Sequence, residues 1–184
     1  MEPLLAKLAK MHDLDRETIP LIDGIIMLAT HLGTNLEPYA PVLLQRAISL
    51  CANCLSCVAA GTAAGATNAM QETADSACQA VTFALDLMSS LCESLKQSMQ
   101  ALLATLRATE VVDIAVVCAS GKSPFMRQSA FALIGDLAAY SCSFLQPRAS
   151  DILALCSEQL AREHITEVCD FTASVWAASS ASLF

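Results

Sequence analysis

The sequence predicts an all-α chain of antiparallel helix pairs, and three observations support that expectation. Hydrophobic residues fill 55% of the 184 positions, charged residues 15% and aromatics 5%. Soluble domains carry about 25% charged residues, so nearly every helix here must be covered by neighbours. Ala and Leu supply the bulk; both are strong helix formers, and small Ala lets helices approach closely. In the segment 123–137, Met126, Ala130, Leu133, Ile134 and Leu137 recur at offsets of 0, 4, 7, 8 and 11. That is the 3.6-residue period of a helix burying one face. The same periodicity runs almost end to end, broken only by turn-like clusters.

The elements follow in order. A short helix is expected over 3–12. Asp13-Leu14-Asp15 offers N-cap chemistry for a helix ending at Leu32, with acidic Glu17 in its first turn. Gly33-Thr34-Asn35 closes that helix, with Gly just past its end. The next helix covers 37–58 and admits Pro38 and Pro41 near its start. Residues 59–75 hold Gly61, Gly65, several Ala and Thr and almost no large apolar side chain, which predicts a flexible loop. Periodicity resumes over 76–95, then in shorter helices near 97–108 and 111–119. Pro124 suits the first turn of a helix over 124–140, because its missing N–H removes no intrahelical bond. Helices over 147–160 and 163–182 complete the chain. The pair 111–119 with 124–140 is the clearest helix–turn–helix unit, and units recur about every 40 residues. They repeat in pattern, not in strict sequence.

Charge and cysteine content narrow the function. The net charge is −8, from 18 acidic and 10 basic residues. Nucleic-acid binding normally needs a basic patch, so DNA and RNA are poor partners and a basic partner is favoured. The same charge would also serve solubility alone. Nine cysteines with no signal-like N-terminal segment read as reduced thiols of a cytosolic or nuclear protein. No membrane span is expected, since the most apolar stretch is interrupted by Asp23, Gly24 and His31. Cys51, Cys54 and Cys57 form a C-x-x-C-x-x-C run, a spacing that can ligate zinc or an iron–sulfur cluster from a loop. Here the run lies in a helical pattern with Ala47, Ile48, Leu50 and Leu55, as small core residues would, and a well-spaced fourth ligand is missing. His12, His31 and His164 form no motif with a nucleophile. Gly61-Thr62-Ala63-Ala64-Gly65 lacks the Lys and Ser/Thr of a phosphate loop. Neither catalysis nor a cofactor is indicated.

Pro124, the Met126-Arg127 pair, the spaced alanines and Leu133-Ile134-Gly135 together resemble the second helix of a HEAT repeat, a unit that stacks into α–α superhelical solenoids. Four strings occur here in the order found in the transportin (karyopherin-β2) family of the importin-β superfamily. They are Glu37-Pro38-Tyr39, Phe83-Ala84-Leu85-Asp86-Leu87, the run from Arg127 to Leu137, and Val168-Cys169. The resemblance covers nearly the whole chain; it is most specific over 124–137 and weakest over 59–75. It implies that 1–184 is a single HEAT-repeat array, part of the C-terminal half of a longer nuclear import receptor. Second helices would line a concave face that binds cargo carrying basic, extended localisation segments ending in Pro-Tyr. The family further implies Ran GTPase binding through the N-terminal part of the full receptor, contact with nucleoporins, and shuttling between cytoplasm and nucleus.

Two groups of residues could form the cargo face. Thr82, Asp86, Ser89 and Glu93 lie at offsets of 0, 4, 7 and 11 and share one helix face. Their carboxylates would attract Lys or Arg through charge-assisted hydrogen bonds, although the spacing equally suits an ordinary solvated face. The resemblance implies that Asp86 and Glu93 face cargo, while Thr82 stands where the family has an apolar contact. Ser129, Ala132, Asp136 and Tyr140 form a second stripe, opposite the apolar one. The resemblance sets Asp136 on the inner surface; a capping or intra-repeat hydrogen bond is its other role. A family contact Trp aligns with Ser174 without gaps, whereas the single Trp of this chain is Trp176. Two residues turn a helix by about 200°, so Trp176 would face either cargo or core. Gly121 replaces the turn Asp common in HEAT repeats, which predicts a looser turn although Arg127 is kept. Two other readings stay open: a HEAT-type scaffold for a folded partner without a transport role, and a Cys-rich metal or redox protein.

Overall fold

The computed structural model describes residues 1–63 and 65–161, and every α-helix or strand assigned among them is a helix. The helices are α1 (Glu2–Leu8), α2 (Thr18–Leu32), α3 (Ala40–Gly61), α4 (Asn68–Leu95), α5 (Gln97–Leu106), α6 (Glu110–Ala119), α7 (Pro124–Leu145) and α8 (Ala149–Ala161). Short 3-10 turns precede α3 and α8. The helix expected over 163–182 lies outside the described residues.

Connection lengths dictate the pairing. The 22 residues of α3 make a rod about 33 Å long. The connection 62–67 reaches at most about 20 Å. The chain therefore cannot return to the start of α3, and α4 must run back along it. The same reasoning pairs α6 with α7. Packing then arranges the pairs in two layers. In one, α4 lies between α2 and α7; in the other, α6 touches both α3 and α8. The short α5 connects the two pairs and touches α3, α4 and α7. This is the layering of HEAT-type helical repeats.

The apolar stripe on α7 performs as its period predicts: Met126, Ala130, Leu133, Ile134 and Leu137 are all buried. They meet Ala84, Leu85, Met88 and Leu91 of α4 and Leu43, Leu44, Leu50 and Cys51 of α3 in one continuous core. Cys51 and Cys54 sit in that core as small apolar residues.

Three local expectations are corrected. First, the loop placed at 59–75 is helical at both ends, leaving a connection over 62–67. The small residues there serve a close crossing: a Cβ on Gly61 would lie 2.2 Å from the Ala74 Cβ and 2.8 Å from the Met70 carbonyl. Thr67 caps α4 by accepting the Met70 N–H at 3.4 Å. Second, Asp13 and Asp15 do not cap α2, which begins at Thr18 without a side-chain cap. Asp13 instead binds α3, accepting from Arg46 and from Asn53 Nδ2, while Asp15 accepts the His12 N–H at 2.8 Å. Third, α7 extends beyond Tyr140, although Ser141 has non-helical angles (φ −149°, ψ 38°) where the helix was expected to stop. By length and composition the stretches Thr18–Leu36 and Ala40–Gly61 are each long and apolar enough to cross a membrane, a test that packed core helices also meet. Within the array α2 and α3 both pack against α4.

Candidate functional site

The packing of α4 on α7 brings the two predicted polar stripes together. Ser89 of α4 donates a hydrogen bond to Asp136 of α7. The reciprocal contact runs the other way, with Ser129 of α7 bonded to Asp86 of α4. Both carboxylates are half-buried and Glu93 is exposed. Burial is the main influence on Asp136 and raises its pKa; the Ser89 hydrogen bond lowers it and the nearby Glu93 charge raises it, leaving it at about 6. Burial likewise raises Asp86, opposed by Ser129. Thr82 turns its hydroxyl back to donate to the Cys78 carbonyl at 2.9 Å.

These acids have no cationic partner among the described residues. Ion pairs there join Lys7 to Glu17, Arg46 to Asp13, and Arg148 to Asp113 and Asp151. A groove opens beside Asp86. One part, of about 550 Å³, is bounded by Asp75, Cys78, Thr82, Phe83, Asp86 and Phe125. The adjoining part, of about 330 Å³, is bounded by Thr82, Asp86, Phe125, Gln128, Ser129 and Ala132. Thr82 and Asp86 therefore stand at its middle, with Ala132 from the second stripe at one end. Tyr140 packs against the core instead. Ser174 and Trp176 lie outside the described residues.

Sequence reasoning missed Asp75 and Phe125. A weak signal existed for Phe125: it immediately precedes Met126 of the buried stripe, and one residue rotates a helix by about 100°, away from the core.

The turn before α7 also departs from expectation. Arg127 donates to the carbonyls of Gly121 at 3.0 Å and Lys122 at 2.8 Å, holding the turn that was expected to be loose. Gly121 allows a tight fit, since a Cβ there would lie 2.8 Å from Met126 Cε and 3.0 Å from the Cys118 carbonyl. In the cysteine run, burial pushes the Cys54 thiol up to about 11 and Cys51 higher still, which disfavours the thiolate form that ligates metals.

No family model matches the chain. Among curated proteins, transportin-1 of Mus musculus is 30% identical over 184 residues, covering 100% of this chain. The chain is homologous to transportin-1. The Homo sapiens transportin-1 is 30% identical over 183 residues, and that of Oryza sativa subsp. japonica is 28% identical over 167 residues, 91% of the chain. The chain spans 19% of the mouse and human transportin-1 sequences and 18% of the rice one.

Proposed function

We propose that this chain is a nuclear import receptor segment that grips basic, extended Pro-Tyr-type localisation segments of cargo proteins along the groove between α4 and α7. One observation carries the reading: Asp86 borders an open groove where α4 meets α7, Asp136 is tied to the same helix pair through Ser89, and neither carboxylate has an ion-pair partner among the described residues. Homology to transportin-1 supports it. Half-burial makes ionised carboxylates costly, and a cargo Lys or Arg would relieve that cost with charge-assisted hydrogen bonds. In this arrangement Asp86 and Asp136 are the anchors, their geometry held by Ser129 and Ser89, and Glu93 extends the negative field to the rim. Thr82 forms part of the groove wall, and Ser174 and Trp176 supply further cargo contacts. The role is binding and not catalysis. Ran GTPase engages the N-terminal part of the full receptor, nucleoporins guide passage, and the protein shuttles between cytoplasm and nucleus.

The test is a fluorescence-anisotropy titration of a labelled basic Pro-Tyr peptide against the chain at near-physiological salt, with a scrambled peptide as control. Asp86→Lys and Asp136→Lys are each expected to weaken binding by tenfold or more, since each replaces an attraction by a repulsion, with the helical circular-dichroism signal kept. Unchanged affinity in both variants would reject the groove. Equal binding of the scrambled peptide would favour a scaffold without a transport role.

A further inference from the structure

Phe125 is 72% exposed, the most exposed of the large hydrophobic side chains among the described residues and the only aromatic one. It stands in the first turn of α7, beside the capping Ser123, and borders both parts of the groove together with Thr82 and Asp86. Phe83 and Cys78 of α4 border the larger part, both half-buried. An open aromatic face beside a half-buried, uncompensated carboxylate has a specific chemical complement. We infer that Phe125 makes this groove selective for arginine over lysine in the basic segment it binds.

The inference rests on the cargo reading above and adds the side-chain preference of the site. A carboxylate attracts ammonium and guanidinium alike, so Asp86 alone discriminates little. A guanidinium is planar and weakly hydrated, and it can lie on an aromatic ring while its edge donates to a carboxylate. A lysine ammonium is a compact, strongly hydrated point charge, and gains less by leaving water for a ring face. Phe83 and Cys78 offer apolar surface for the methylene stem. The positive charge of the partner is set by Asp75 and Asp86, and the flat shape of its head group by Phe125.

Two peptides of one sequence, with all basic positions Arg in one and Lys in the other, would be titrated against the whole chain and against Phe125→Ala, Phe125→Leu and Asp86→Asn. The unaltered protein is expected to bind the Arg peptide about two- to fivefold more tightly. Phe125→Ala brings that ratio close to one and leaves the Lys peptide almost unaffected. Phe125→Leu, which keeps apolar area but lacks a ring face, loses the preference as well. Asp86→Asn weakens both peptides and keeps their ratio. No preference in the unaltered protein, or a preference surviving in Phe125→Ala, overturns the inference and leaves the cargo reading standing. Failure of both peptides to bind, or indifference of both to Asp86→Asn, overturns the cargo reading itself and the inference with it.

Discussion

Asp136 is the residue at which the proposed binding would be coupled to stability. Its pKa lies above the ordinary carboxylate value because burial disfavours its charge, with Glu93 adding to the rise against the Ser89 hydrogen bond. The folded state thus holds the proton more strongly than the unfolded chain. The destabilisation is absent below the unfolded value near 4, develops as pH rises, and is complete above about 6. Asp136→Asn should therefore raise Tm at pH 7, with little effect at pH 4, while lowering affinity for a basic peptide; thermal melts at the two pH values and the titration read the two effects separately. On the proposed reading a proton and a cargo cation would compete for the same carboxylate, so peptide affinity should fall as pH drops from 7.5 to 5.5. Equal affinity at both values would separate Asp136 from binding. At this scale the sequence showed the acids clearly, because charged residues at helical spacing can be read from a single helix. It did not show that Ser89 and Ser129 would pair with acids across a helix interface, nor that Phe125 would border the same groove. Those facts depend on how α4 and α7 are rotated against each other.

Individual helices were legible in their periodicity, and each misread boundary has its own cause. Over 59–75 the sequence is rich in small residues, which serve equally in a mobile loop and where two helices touch. Gly61 and Ala74 belong to the second case, and only the crossing of α3 and α4 distinguishes them. Gly61→Ala forces a Cβ into Ala74 and should cost about 1–3 kcal/mol of stability, measurable by urea unfolding. A neutral result would mean the hairpin end spreads without penalty. The end of α5 offers the opposite change. Arg107 adopts left-handed angles (φ 51°, ψ 37°) at the C-cap, a conformation costing a side-chain-bearing residue about 1 kcal/mol. Arg107→Gly should stabilise the protein by about 0.5–1 kcal/mol and raise Tm by a few degrees. The expectation that Asp13 would cap α2 failed because a carboxylate near a helix start has competing partners, and Arg46 and Asn53 on α3 provide two.

At the scale of the whole molecule, net charge and layering act together. A chain of net charge −8 with Asp75 and Asp86 beside one groove should steer basic peptides by long-range attraction. Raising salt from about 50 to about 500 mM should slow association by tenfold or more, with a much smaller change in dissociation, as stopped-flow kinetics would show. The sequence by itself determined that the described residues are helical and that the helices pair, and it raised the expectation of a basic partner. Each of these depends on composition and on spacing within one helix, which are properties of the linear chain. Only the tertiary structure decided that α2, α4 and α7 share a layer, that Ser89 and Asp136 meet across the α4–α7 interface, and that Asp86 and Phe125 border one groove. The physical reason is that helix rotation and layer order are set by side chains interlocking across interfaces, where residues 47 positions apart in sequence, such as Ser89 and Asp136, come into contact.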